Sequence, residues 1–593
     1  MDSSKTNFFD TQVLGHPAGL FVLFFTEMWE RFSFYGMRVL LVNFLTMAVV
    51  GVDFPGWGWT SENAGALFGT YAGLLYLTPI LGGLIADKVT GYRWAVVIGA
   101  AIMTIGHAAM AFETETSLYV GLALLVIGTG FFKPNMTSIV SEMYKDFPEK
   151  KDGAYTIFYM GVNAGAFFGM MLCGYLAETV GWAWGFGLAG IFMALGTLQF
   201  WLAKPIFGKI GDPPIKSAAL GAERSDGDQE ALDSSLAKDG EEPANPFTTL
   251  DKILIAICSI IAFVYLINDP LSKIKGVNLL PEAQIGVILM VTLALFLYLV
   301  ISRMTRYTKI TRDRMIAFVI FAFFTVFFWM AFEQGATSLV LFARDFTQRS
   351  LVGGAATAFK IVDTLLTVVP LAIITWVLYL LFTKTFKTIR TSNIVLALSF
   401  LAIWIIVGYK LVQDFSTDTA EITVSWFSIL NSFFIITFAS FFTKWWDSKY
   451  NPSAAIKYGL GLGLLGIGFG ILAFGSLAIP AGTEAGAVRV SMIWLILAYL
   501  FHTLGELCLS PVGLSYVSKL VPARMIAFMF GMWYLAIAIG NKLAAKVGGM
   551  FDTMRDESSL SFFFLIFTII PIVSGILVTI LGPVLKKLMH GVK

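Results

Sequence analysis

Residues 20–45 read LFVLFFTEMWERFSFYGMRVLLVNFL. The run is long and apolar enough for a membrane helix, yet Glu27, Glu30, Arg31 and Arg38 interrupt it. A charge at a bilayer centre costs roughly 2.5–3.5 kcal/mol on insertion scales, so such residues face a bundle interior or a wet cavity rather than lipid. Helical spacing orders them. Glu27, Arg31, Tyr35 and Arg38 follow one another at intervals of four, four and three residues and share a face, with Glu30 beside it. Glu and Arg four residues apart partly neutralise each other, which lowers the cost of burial. This one helix therefore predicts a many-helix bundle with a polar interior.

The rest of the chain supplies that bundle. Hydrophobic residues make up 57% of the 593 and charged residues only 13%, more apolar surface than a soluble chain of this size could hide. The net charge of +2 gives no reason to expect nucleic acid. Sixteen apolar segments are predicted: 18–47, 62–86, 93–113, 118–144, 153–178, 183–204, 251–268, 285–303, 314–340, 361–383, 393–412, 422–443, 457–479, 490–516, 524–548 and 560–586. They are long runs without strict alternation, which excludes a strand barrel. The N-terminus lacks a signal-peptide pattern, so the first segment is expected to be retained.

Alternate loops differ in charge. One set, including DKVTGYR, SRMTRYTKITRDR and TKTFKTIR, is basic; the other, including FETETS and IPAGTEAGA, is nearly free of bases. The positive-inside rule and the even count place both termini in the cytoplasm. Residues 205–250 are polar, lack an apolar period and are expected to form a disordered cytoplasmic linker. Cys173, Cys258 and Cys508 lie within apolar segments and are expected to pack as small hydrophobes.

Several motifs add up to a resemblance. GGLIADKVTGYR (82–93) resembles the loop signature of the major facilitator superfamily, with Gly82 and Gly83 for close helix approach and Asp87, Lys88 and Arg93 as a latch. EMWERFSFYG is similar to the ExxERFxYYG signature of the proton-dependent oligopeptide transporter (POT) family, with Phe34 in place of the first Tyr. GTGFFKPN (128–135), FYMGVNAGAFFG (158–169), FFWMAFEQGATSL (327–339) and GELCLSPVGL (505–514) resemble further blocks of that family, in family order.

The resemblance implies an all-α polytopic membrane protein of the major facilitator fold. Two six-helix lobes are expected over 1–204 and 311–593, with a helix pair between them at 251–310. Segments 361–383 and 393–412 fall between the seventh and eighth core helices, where the family has a short loop. They read as an extra helical hairpin at about 357–415.

It also implies roles, position by position. Glu27, Glu30, Arg31, Lys133 and Glu333 match residues that couple proton movement. Arg31 with Lys133 matches the pole for a peptide carboxylate. Glu506, with Asn163 and Asn431, matches the pole for its amino group. Tyr35, Tyr76, Trp329 and Trp533 match aromatic walls, and Arg38 with Glu333 matches a gating salt bridge. Burial and a neighbouring base push a carboxyl's proton affinity in opposite directions, so such a group can exchange protons near neutral pH. His502 is expected to pack near Glu506.

The function so implied is proton-coupled import of di- and tripeptides by alternating access, across a bacterial inner membrane. No cofactor, metal, catalytic group or obligate protein partner is implied; the expected partners are peptides, protons and the lipid bilayer. A transporter of nitrate or another small anion, or a non-transporting peptide sensor, is the alternative.

Overall fold

The computed structural model describes residues 11–147, 150–213, 245–520 and 526–592. Sixteen helices of twenty or more residues are found among them. The first six are α1 (Ala18–Thr46), α2 (Ser61–Ile85), α3 (Gly91–Met110), α4 (Glu115–Met143), α5 (Lys151–Thr179) and α6 (Trp182–Leu202). A pair follows, α7 (Thr249–Lys275) and α8 (Ile285–Met304), then α9 (Lys309–Phe332). Next come α10 (Gly353–Thr385), α11 (Arg390–Phe415) and α12 (Val424–Trp446). The last four are α13 (Ala454–Gly475), α14 (Ile493–Lys519), α15 (Ile526–Gly548) and α16 (Leu560–Ile580).

Each predicted segment has its helix. Twelve stretches of the described residues are long and apolar enough to cross a membrane, one of which, Ser61–Met110, holds both α2 and α3. Lipid offers backbone groups no partners, so the helix is the local solution. Start and stop signals are equally local. Thr114 and Ser117 form a capping box at α4, Thr248 and Asp251 form one at α7, and Gly276 ends α7 in the left-handed region at φ +66°.

The chain divides into two compact units. The first comprises residues 1–58, 77–215 and 340–436; the second comprises 59–76, 216–339 and 437–593. Sequence order assigns the inserted hairpin, α10 and α11, to the C-terminal half, but its contacts place it in the first unit. Phe400 of α11 meets Phe25 and Trp29 of α1, both at 5.5 Å between ring centroids, and Ser392 donates to the Gln199 carbonyl of α6 at 2.7 Å.

The opening half of α2 lies likewise in the second unit. Gly65 and Gly69 sit so close to Ala545 of α15 that a side chain at either would collide with it. Lys542 of α15 donates to Thr70 at 3.1 Å and pairs with Asp269 of α7 at 2.5 Å. The helix pair is closed at its other end by Asp251, which accepts from Arg303 at 3.0 Å and from Arg306 at 2.7 Å.

Within the first unit, α5 lies against α1 through a glycine ladder. A Cβ on Gly161 would stand 2.8 Å from the Phe24 carbonyl oxygen, and one on Gly165 or Gly169 would overlap those of Met28 or Phe32. Steps of four along both helices keep these glycines in register with those carbonyls. Gly82 of α2 abuts the Gly130 carbonyl of α4 in the same manner, whereas Gly83 has ordinary spacing from Pro134 at 3.8 Å.

The expected linker needs correction at its start. Arg93 donates to the Ile210 carbonyl at 3.2 Å and pairs with Asp212, while the Gly211 amide donates to Glu142 at 3.0 Å. Residues 207–212 are thereby strapped to α3 and α4. The expected latch is divided: Arg93 holds this strap, and Asp87 accepts from Tyr92 at 2.9 Å. Residues 214–244 of the expected linker lie outside the described residues.

Candidate functional site

The charged face of α1 folds into one buried cluster. Arg31 Nε donates to Glu27 Oε1 at 2.8 Å, and the same atom lies 2.8 Å from Glu30 Oε2. Glu27 is 4% exposed, Arg31 6% and Glu30 0%, so the group is removed from lipid and bulk water alike. The partnership is unequal. Glu27 accepts a directed hydrogen bond from Arg31, while neither oxygen of Glu30 accepts one from the described residues. A buried carboxylate without donors carries more of the desolvation cost of its charge than one that is hydrogen-bonded.

Lys133 of α4 brings the second cation. It interacts electrostatically with Arg31, Glu30 and Glu27, and with Arg38 one turn beyond Tyr35. Two carboxylates, Glu27 and Glu30, and three cations, Arg31, Lys133 and Arg38, thus lie within electrostatic reach of one site. Lys133 sits immediately before Pro134, inside α4.

Phe34 occupies the gap between the two guanidiniums of α1. The Arg31 and Arg38 guanidinium carbons lie 5.6 and 5.9 Å from its ring centroid, and Tyr35 meets it edge-on at 5.0 Å. Both guanidiniums thereby gain a cation–π contact with the same ring. Asn163 of α5 is buried and donates to the Tyr159 carbonyl of its own helix at 3.0 Å. Asn431 lies on α12, half-buried, in the same unit.

The remaining predicted residues belong to the second unit. Tyr76 faces Tyr534 with ring centroids 6.3 Å apart. Trp329 is half-buried and meets Phe328 and Phe332 edge-on at 5.7 and 5.4 Å. Trp533 has less free surface: it is 3% exposed, packed on Phe318 and close against Gly513.

Glu333 stands where α9 gives way to a 3-10 turn, Glu333–Ala336, followed by the short helix Ser338–Asp345. Gln334 secures the break by donating to the Ala544 carbonyl at 2.9 Å and accepting from Ser338 at 2.5 Å. Discontinuous helices recur at transporter binding sites because they free backbone groups near a cavity. Glu506 is half-buried on α14, and His502 one turn earlier packs its ring 4.2 Å from that of Phe469. Arg38 lies in the first unit and Glu333 in the second.

Sequence reading passed over other charges inside apolar helices. Lys410 of α11 contacts Asp363 of α10 at 2.5 Å and Asp414 at 2.7 Å, and Trp426 of α12 donates to Asp363 at 3.0 Å. Glu178 of α5 accepts from the Val424 amide at 2.9 Å. The signal that exposed the α1 cluster, a charge within an apolar run, was present at Asp363 and Lys410, whereas Glu178 ends its predicted segment and Asp414 lies beyond its own. All three cysteines are free, with Cys173 and Cys508 buried.

A bundle of membrane-spanning helices, one broken beside a buried acid, with a cluster of buried charges centred on its first helix, has the make-up of a secondary transporter of the major facilitator type. A sequence profile described as the POT family matches residues 93–219 and 396–561. The chain is 30% identical to the peptide transporter YePEPT of Yersinia enterocolitica, over 97% of this chain and 96% of that protein. It is 28% identical to a di-/tripeptide transporter of Lactococcus lactis subsp. cremoris, over 98% of each. Its fold is similar to a crystal structure of a peptide transporter in complex with alafosfalin, with TM-score 0.69, 27% identity and full coverage of both chains. The chain belongs to the POT family.

Proposed function

We propose that this protein is a proton-coupled symporter that imports di- and tripeptides across a bacterial inner membrane by alternating access, with both termini in the cytoplasm. The observation that carries the reading is the buried Glu27–Arg31–Glu30 cluster with Lys133 beside it. A peptide carboxylate arriving at Arg31 and Lys133 competes with Glu27 and Glu30 for the same cations. Glu30, which accepts no hydrogen bond from the described residues, then binds a proton, because an unpaired buried anion is the costlier state. Substrate and proton therefore load together, and loss of one on the cytoplasmic side favours release of the other.

The other proposed roles follow the family match. Glu506 with Asn163 and Asn431 takes the peptide's amino group, Tyr35, Tyr76, Trp329 and Trp533 border its side chains, and Arg38 with Glu333 forms a gating pair. Poles of opposite charge suit a short zwitterion, and the half-buried Tyr35, Tyr76 and Trp329 suit variable side chains. The relatives named for peptide transport support this substrate class. Transport changes no covalent bond, and the paired acids share one helix with a base instead of flanking a scissile bond, so no enzymatic step is proposed.

Calorimetry with detergent-purified protein tests the substrate. Dialanine and trialanine should bind, whereas N-acetyl-dialanine and free alanine should bind at least about tenfold more weakly. Equal binding of the acetylated peptide would contradict the amino pole. Nitrate binding without peptide binding would replace the substrate class.

A further inference from the structure

We propose that the inserted hairpin, α10 and α11, braces the helix that carries the coupling charges, with Phe400 as the positioning residue. The inference rests on the coupling role proposed for Glu27 and Glu30. Trp29 lies between Met28 and Glu30, and its indole is fully buried between two rings. Phe192 of α6 stacks on one side at 4.9 Å and 20°, and Phe400 of α11 meets it at 5.5 Å and 65°. Phe400 also meets Phe25, edge-on at 89°. The indole Nε1 makes no hydrogen bond with the described residues, so packing alone sets the ring's orientation.

A second contact runs in parallel. Gln199 of α6 accepts from Thr26 of α1 at 2.9 Å, and its own carbonyl accepts from Ser392 of α11. Met28, Trp29 and Phe32 face Leu371, Ile374 and Ile403 of the insert across an apolar crevice. The back of the coupling helix is therefore covered by the insert through the turns that bear Glu27 and Glu30.

The brace is itself fixed at its root. Strand Ser350–Val352 pairs antiparallel with strand Thr419–Glu421, which joins the chain entering α10 to the chain leaving α11. Lys360 donates to the Thr417 carbonyl at 2.6 Å, and the Asp363–Lys410–Asp414 cluster ties the two helices to each other. Asp363 reaches on to Trp426 of α12, the helix that bears Asn431. A hairpin stitched this way transmits little slack, so a change at Phe400 is felt at Trp29 and at the adjoining Glu30. Glu30 faces Glu27 and Arg31 on its own helix and Lys133 on α4.

The test uses full-length protein in proteoliposomes, with gradient-driven dialanine uptake, its pH profile and dialanine counterflow measured on the same preparation. Phe400→Ala should lower driven uptake about tenfold and displace its pH profile, while counterflow stays within about twofold. Phe400→Leu, which refills the space, should return the profile toward wild type. Leu401→Ala, on the exposed face of the same helix, should change nothing.

A Phe400→Ala profile superimposable on wild type overturns the brace, as does equal loss of driven uptake and counterflow, which is the mark of a merely structural residue. If Phe400→Ala does not reach the membrane folded, Ser392→Ala decides: a displaced profile supports the brace and an unchanged one overturns it. Wild-type protein that accumulates no dialanine overturns the transport reading and the brace with it, an outcome distinct from wild-type uptake with an unaltered variant.

Discussion

Glu27 and Glu30 stand three residues apart on one helix, share one guanidinium, and differ in what holds them. Glu27 has a directed hydrogen bond from Arg31; Glu30 lies 2.8 Å from the same nitrogen and accepts no hydrogen bond from the described residues. We expect Glu30→Gln to abolish gradient-driven accumulation while peptide exchange persists, because the amide fills the space but binds no proton. Glu27→Gln should do the same, with an added loss of Arg31 orientation. Uptake assays with and without a gradient check both, and full accumulation in either variant would refute the coupling role. Arg31→Ala should weaken dialanine binding by at least about thirtyfold, since removing one partner of a buried charge pair costs roughly 2–5 kcal/mol; unchanged affinity by calorimetry would contradict it. The polar stripe of α1 was legible because charges in an apolar run have few explanations. The inequality between Glu27 and Glu30 was not, since spacing places side chains on a face without saying which oxygen meets which nitrogen.

At the scale of the element, composition fixed far more than it fixed among side chains. Every long apolar run became a helix, and the glycines of FYMGVNAGAFFG became the surface on which α1 rests. That ladder makes a sharp prediction. Gly165→Leu should prevent α1 and α5 from approaching, because even a Cβ at that site overlaps the Met28 carbonyl. Overpacking of this kind costs typically 1–3 kcal/mol; thermal unfolding in detergent should show a lowered midpoint or no folded protein, while Gly83→Ala, with room to spare, leaves the midpoint near wild type. The strap over residues 207–212 is not separable by local composition, because its glycines and charges continue into the stretch after it and Phe207 and Ile210 are too few to form an apolar period. Its order comes from Arg93 and Glu142, contacts between distant positions that local composition cannot reveal.

On the scale of the whole molecule, sequence order and packing diverge in two places. The inserted hairpin joins the first unit through Phe400 and Ser392, and the first half of α2 joins the second through Gly65, Gly69 and Lys542. Neither placement could be read from order along the chain, whereas the number of helices and the sign of each loop could. The loop charges predict that a cysteine replacing Glu484 reacts with an impermeant thiol reagent from outside the cell, and one replacing Tyr450 only after the membrane is opened. The reverse pattern would invert the topology. The most direct measurement of the central claim is accumulation of labelled dialanine in proteoliposomes with and without an inward proton gradient. The account predicts accumulation above equilibrium only with the gradient, competed by tripeptides and not by free alanine. Accumulation indifferent to the gradient, or absent while nitrate enters, would contradict it.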